Sequence, residues 1–273
     1  VIQSIHKTLP CFTQTSLLHV KKGYANMEVI RKYLTIFQSS SPSYIFMAGI
    51  ENCIYHMDRE GREKMDRLFQ NLLAMRKKLS DLKSLHVIGK ELAGRYGIKD
   101  IDLSKIVITT HKAPINGSEL FEMLREKYHL EMEMASADYV VAISTVSDTE
   151  EGLARLADAL LEIDRNLSGE EIFEKKEDDR LIRVNSRPEV EMTVFEGAMS
   201  EKEGIPIENS IGRISGEFVY IYPPGIPIVA PGELLLPSLV NIILNYQEIG
   251  LPVQGLKDPS GKTIQVIRGK DNG

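Results

Sequence analysis

A serine, a histidine and a lysine fall within four positions near the start of the chain: Ser4, His6 and Lys7 in SIHKTLPCFTQTSLLH, residues 4–19. A lysine amine can attack a carbonyl carbon and hold it as a Schiff base, provided that rigid backbone fixes the side chain and partial desolvation leaves the amine neutral often enough. Hydroxyl and imidazole neighbours such as Ser4 and His6 could then hold an anionic group on the same ligand. A His-Lys pair alone is ordinary, because most lysines are exposed and solvated. The context here is more pointed: Lys7 follows the strand-like Val1-Ile2-Gln3 and precedes the turn-like Leu9-Pro10.

Other chemistries find little support. Gly261-Lys262-Thr263 ends like a phosphate-binding loop, but the spacing from Gly255 is one too long and a strand-like TIQVI follows instead of a helix. The six histidines are scattered without metal-ligand spacing, so no zinc or other metal site is expected. There is no G-x-G-x-x-G and no G-x-S-x-G, which removes the usual handles for a dinucleotide fold or a hydrolase elbow.

The elements that must position the lysine can be read from the hydrophobic pattern. Thr15 to Val20 has the make-up of a short buried strand, ended by Lys21-Lys22-Gly23. Asn26 is an N-cap for a helix of about three turns carrying Ile30, Tyr33, Leu34 and Phe37. A long helical pattern runs from Ser43 to Leu79, with Gly61 able to bend or split it and its methionines serving as core filler. Beyond it the order is strand 106–110, helix 117–128, strands 130–135 and 137–144, and helix 149–167, capped by Ser147-Asp148-Thr149. That alternation describes a small α+β layer with helices on one sheet face. The mixed charge run 169–180 reads as a solvated linker or helix face. Residues 187–273 are rich in Gly and Pro, with the rigid Tyr222 to Glu233 loop, a helix over 237–249 and a last strand over 262–267.

At 273 residues, 42% hydrophobic and 26% charged, the chain has the composition of an ordinary globular protein. A net charge of -6 argues against a nucleic-acid or anionic-membrane partner. Two cysteines, Cys11 and Cys53, do not make a disulfide framework, and a cytoplasmic location fits them. No apolar run is long enough to span a bilayer, and the opening residues do not resemble a signal peptide, so neither a membrane span nor export is expected.

SIHKTLPCFTQTSLLHV resembles the cofactor-lysine segment of the bacterial ornithine/lysine/arginine decarboxylases, whose pattern is roughly S-x-H-K-x-L-x-x-x-x-Q-x-S-x-L-H. Two further elements appear in the family's order. Ser40-Ser41-Pro42-Ser43-Tyr44 is similar to its S-S-P-S-Y element. Gly212-Arg213 with Glu217, then Tyr222 to Pro227 and Pro231-Gly232-Glu233, resemble its G-R-x-x-x-E, Y-P-P-G-I-P and P-G-E. The resemblance implies a mixed α/β and α+β protein: part of the large domain of a fold-type-I pyridoxal-phosphate transferase (1–80), a small α+β subdomain (81–168), and a linker with the C-terminal decarboxylase domain (169–273). It implies that Lys7 holds pyridoxal 5'-phosphate covalently, with Ser4 and His6 at the cofactor phosphate. Ser39 and Ser40 would reach the cofactor of a neighbouring protomer, making a homodimer the smallest complete unit.

The implied reaction is removal of CO2 from arginine, lysine or ornithine. The compact C-terminal region, which is similar to shorter Gram-positive members tied to polyamine synthesis, points to arginine. His6 or Lys7 would deliver the proton to Cα, and the residues do not choose between them. Glu217 and Glu233, flanking the Tyr-Pro-Pro-Gly loop, are candidates for the carboxylate that meets the substrate's basic end.

One departure from the family stands out. The phosphate-cradling turn, the ring stacked on the pyridine and the aspartate at its nitrogen precede the lysine in the family, and six residues cannot hold them. The expectation is therefore a C-terminal portion whose N-terminal half is on another chain or lost, weakly active by itself and with apolar surface left bare. A different class of function remains beside it: an inactive fragment acting as an association module.

Overall fold

The computed structural model describes residues 1–167, 188–222 and 225–269. The charge run 169–180 and the two prolines at 223 and 224 lie outside the described residues. The elements in order are β1 (Ile2–Gln3), β2 (Leu17–Leu18), α1 (Met27–Phe37), α2 (Tyr44–Lys78), β3 (His86–Val87), β4 (Lys105–Thr109), α3 (Gly117–Tyr128), β5 (Met134–Ala135), β6 (Tyr139–Ile143), α4 (Glu150–Leu167), α5 (Val194–Met199), β7 (Lys202–Pro206), β8 (Val219–Ile221), β9 (Pro227–Val229), α6 (Pro237–Glu248), β10 (Val253–Gln254) and β11 (Thr263–Ile267).

Four strands form a sheet in the order β3-β4-β6-β5. Burial alternates along β4 and β6, placing Ile106, Ile108, Val140 and Ala142 on the covered face, as a period of two requires. By its contacts the chain divides into two units. The first comprises Val1–Leu82, Val87–Val107 and Ala142–Arg165, and the second Lys83–His86, Ile108–Val141 and Asn166–Gly273.

In the first unit, α1 starts where Asn26 Oδ1 accepts from the amides of Glu28 and Val29, yet none of its residues is buried. The 35-residue α2 runs unbroken through Gly61, which is buried and where an added Cβ would fall 2.8 Å from Met57 Cε. The glycine therefore makes room for a side chain rather than a bend. The C-terminal half of α2 buries Leu68, Leu72 and Met75, and Arg76 fastens it by donating to the carbonyls of Ile88 (2.7 Å) and Leu103 (3.1 Å). The expected strand Thr15 to Val20 shrinks to Leu17–Leu18, paired antiparallel with β1 as Ile2↔Leu18 and Gln3↔Leu17.

In the second unit, α3 opens on a capping box: Asn116 Oδ1 accepts from the Glu119 amide while Glu119 reaches back to the Asn116 amide. The strand expected at 130–135 is confined to Met134–Ala135. His129 takes a left-handed φ of 52° and the Leu130 amide returns to Leu124 O, so the first residues after α3 serve to end the helix. The C-terminal part folds a three-stranded sheet (β10-β8-β9) and a two-stranded ladder (β11-β7) around α6. Its core is apolar and closed, built from Ile207, Val219, Val229, Leu235, Ile243 and Ile264.

Ile264 is fully buried, and Ile264→Ala should lower stability by about 2–5 kcal/mol. Asn116→Ala should cost about 1 kcal/mol through the lost cap. Urea midpoints of the two variants check both the order and the size of these losses.

Candidate active site

The lysine sits in a loop closed at both ends by β1 and β2. Outside the ladder, the Val1 amino group donates to His19 O (2.8 Å) and the His19 ring meets Gln3 Oε1 (3.0 Å). Within the loop the chain turns tightly at residues 4–9, where the Lys7 amide returns to Ser4 O (3.5 Å) and the Leu9 amide to Ile5 O (3.0 Å). Ile5, 1% exposed, is the apolar anchor that fixes this turn.

Anchored so, the turn leaves Ser4 and Lys7 exposed and His6 half-buried. The Lys7 amine makes no hydrogen bond or ion pair among the described residues. His6 Nδ1 lies 2.7 Å from Thr15 O, and a carbonyl only accepts, so Nδ1 carries a proton and Nε2 is left for another partner. Thr15 is itself buried, and its hydroxyl is held by Phe12 O (2.7 Å) and Cys11 Sγ (3.1 Å). Just before it, Gln14 adopts φ 65°, a conformation of about 1 kcal/mol strain for a residue with a Cβ. The buried Thr15 holds that conformation in place.

Ser39 and Ser40, between α1 and α2, are both exposed, and Ser39 Oγ accepts from the Ser41 amide (3.1 Å). Behind the lysine turn, still within the first unit, a cavity of about 550 Å³ is lined by Thr8, Asp66, Phe69, Asp102, Lys105 and Ser144 among others. Among the described residues, no group of three or more His, Cys, Asp or Glu is placed to hold a metal ion. No helix among them is long and apolar enough to cross a membrane.

Glu217 and Glu233 belong to the second unit and are brought together through Ser215. The buried Ser215 gives its amide to Glu233 O (2.8 Å) and its hydroxyl to Glu217 O (2.8 Å). Both carboxylate oxygens of Glu217 accept backbone amides, Oε1 from Gln265 (2.8 Å) and Oε2 from Lys257 (2.9 Å). Burial pushes this carboxyl above its usual range, against the pull of those two N–H groups. Glu233 Oε2 accepts from the Ala230 amide (2.8 Å), and its other oxygen has no partner among the described residues.

The rest of the motif around them is likewise engaged within the fold. Gly212 supplies a φ of 79°, and Arg213 bridges Glu203 Oε1 (2.6 Å) and Ile267 O (3.0 Å). Gly232, at φ 90°, passes so near Met192 O that a Cβ would fall 2.4 Å from it.

Comparison with known proteins bears on both units. The profile described as "Orn/Lys/Arg decarboxylase, major domain" matches residues 1–140, and that described as "Orn/Lys/Arg decarboxylase, C-terminal domain" matches 180–251. The chain belongs to the Orn/Lys/Arg decarboxylase family. Within that family it is 32% identical over 268 residues to an arginine decarboxylase of Bacillus anthracis, covering 97% of this chain and 53% of that one. It is 30% identical to an arginine decarboxylase of Halalkalibacterium halodurans, with coverage of 97% and 53%. The lysine decarboxylase of Francisella novicida shares the fold, with a TM-score of 0.76 at 19% identity over 98% of this chain and 48% of that one. The chain thus spans about half the length of the curated relatives it matches.

As a family member, the chain can be tested for fit to the cofactor that the resemblance implies. An unpaired amine, an exposed hydroxyl and an imidazole whose Nε2 has no partner among the described residues and donates once the ring is protonated, all from one anchored turn, are groups that a phosphate-bearing aldehyde requires. The donors fit. The desolvation expected around Lys7 is not supplied by this turn, since the lysine is exposed.

The sequence did not single out Thr15, although it lies inside the matched motif, because a threonine among Thr13, Gln14 and Ser16 has nothing to mark it as the buried one. Glu217 yields a prediction. The folded state binds its proton more tightly than the unfolded chain, so as pH rises from the ordinary value of about 4.3 through the raised one, ionisation costs the wild type stability. Glu217→Gln, with an amide group facing one backbone N–H, should be offset by a constant amount. The wild-type urea midpoint should therefore fall relative to that of the variant across this window and then level off.

Proposed function

We propose that the chain is part of a pyridoxal-phosphate-dependent decarboxylase that removes CO2 from a basic amino acid, with arginine preferred. The observation that carries this reading is the anchored turn presenting Ser4, His6 and Lys7 with all three polar groups available. The arginine preference is supported by the names of the relatives at 30% and 32% identity. The amine formed from arginine would be a precursor for polyamines.

In this reading Lys7 would be the residue that holds the cofactor. Ser4 and the Nε2 of His6 bind its phosphate. When bound, the cofactor supplies an electron sink for the pair left behind by the departing carboxylate. What the protein's own groups add is orientation and proton delivery. The Thr15 carbonyl keeps the His6 ring in one orientation with Nε2 able to bind an anion or carry a proton, and Lys7 competes with it as donor to Cα.

Glu233, with one oxygen unengaged, is the better of the two carboxylates for the basic end of the substrate. Glu217 is proposed to brace the loop at 257 against β11. Ser39 and Ser40 are proposed as phosphate contacts offered to a neighbouring protomer. The oligomer is supported by α1, which leaves Tyr33, Leu34 and Phe37 exposed. The same surface supports a second reading, in which the chain serves as an association module without catalysis.

Pyridoxal phosphate added to the chain, alone and with a polypeptide supplying the other half of the relatives' length, should give the visible absorption band of a lysine-bound cofactor. Lys7→Ala should abolish that band. Absence of the band in both mixtures, or its survival in Lys7→Ala, would overturn the catalytic reading. CO2 release should be fastest from arginine, and sedimentation should show Tyr33→Ser with Phe37→Ser shifting the protein toward monomer.

A further inference from the structure

The chain has two cysteines, Cys11 in the lysine loop and Cys53 in α2, and the fold brings them together. Two independent features fix that approach. Phe12 lies so close against α2 that a Cβ on Gly49 would fall 2.6 Å from its ring. Cys53 lies four residues after Gly49, so both occupy the same face of the helix, one turn apart. Beside Phe12, Cys11 accepts from the Thr15 hydroxyl (3.1 Å), and its sulfur is near enough to Cys53 to help raise that thiol's pKa. The two thiols also differ in access: Cys11 is half-buried and Cys53 is 1% exposed.

We propose that Cys11 and Cys53 are a modification site, a thiol pair that a hydroperoxide converts into a reversible disulfide pinning the lysine loop to α2. Its claim is independent of the catalytic reading. The sulfur of Cys11, which solvent reaches, attacks one peroxide oxygen as a thiolate. The O–O bond breaks, the alcohol or water leaves with a proton, and Cys11 becomes a sulfenic acid. Cys53 then attacks the Cys11 sulfur. The S–S bond forms, the S–O bond breaks, and the hydroxide leaves as water with the proton of Cys53. Two thiols lose two electrons in total and one hydroperoxide gains them. A small-molecule thiol reverses the reaction by exchange.

Burial and the neighbouring Cys11 hold the Cys53 thiol above its ordinary range, which keeps it protonated and unreactive toward the oxidant. Before oxidation it remains a protected thiol in the interior, beyond the reach of the oxidant. The consequence is local. Residues 11 and 12, until then held by Thr15 and by the contact of Phe12 with Gly49, become covalently fixed to the helix. The turn bearing Ser4, His6 and Lys7 is tied in turn to that segment through the bond between His6 and the Thr15 carbonyl.

The experiment treats the chain with hydrogen peroxide and reads intact mass without reductant, followed by peptide mapping. The expected result is a monomeric chain lighter by two hydrogens, a linked peptide pair containing Cys11 and Cys53, and full reversal by dithiothreitol. In Cys53→Ala, dimedone should label Cys11 after peroxide treatment. In Cys11→Ser, Cys53 should be neither labelled nor oxidised while the chain is folded. Circular dichroism confirms that each variant retains its fold. The proposal is overturned if, after peroxide treatment of the folded chain, both thiols are alkylated on unfolding without reductant, if the only disulfide joins two chains, or if Cys53 is labelled first.

Discussion

A loop that presents reactive side chains to solvent must be held from beneath, and here the hold is the hydrogen bond from His6 Nδ1 to the Thr15 carbonyl. It spans the loop between β1 and β2, supported by a buried threonine on one side and a buried isoleucine on the other. Without it the two-residue strands would be a marginal ribbon, since isolated two-stranded pairs are barely stable in water. With it the backbone from Ser4 to Lys7 is fixed and the imidazole has one orientation. The strained Gln14 backbone is tolerated because Thr15 is already held.

The C-terminal part of the second unit works by a different rule. Its side chains in the recognisable motifs are engaged with backbone groups: Arg213 with a carbonyl, Glu217 with two amides, Glu233 with one. Half-buried carboxylates satisfied by amides are costly to desolvate but define geometry well. The G-R-x-x-x-E stretch is thus legible as a way of joining β11 and the loops at 233 and 257 to a single turn. A carboxylate in such a role is not free to change partners, which separates Glu217 from Glu233.

Much of this was legible in the residues. The helices were, because α1, α2, α3, α4 and α6 show 3.6-residue periodicity, with a cap at Asn26, capping residues up to Thr149 ahead of α4 and a proline at the start of α6. The strands were less so. β2 and β5 are shorter than their apolar runs, since neighbouring residues were needed to close the lysine loop and to end α3. The strands from β7 to β10 had no signal beyond glycine and proline density, because their pairing depends on contacts distant in sequence. Lys7 was singled out by its neighbours. Thr15 and the meeting of Cys11 with Cys53 were not, because burial and cross-loop contacts leave no trace in local spacing.

The helix α2 is one element in geometry and two in energy. Its C-terminal half shares the stability of the packed core, through Leu68, Leu72, Met75 and Arg76. Its N-terminal half, with Tyr44, Ile45 and Met47 exposed, rests largely on its own ladder of backbone bonds, which frays first in any helix lacking tertiary cover. The contact of Phe12 with Gly49 lies on that weaker half. The outer end of the lysine loop, at Phe12, therefore leans on a part of the helix with little to lend, so whatever later covers or crosslinks that half sets the tempo of that end's motion.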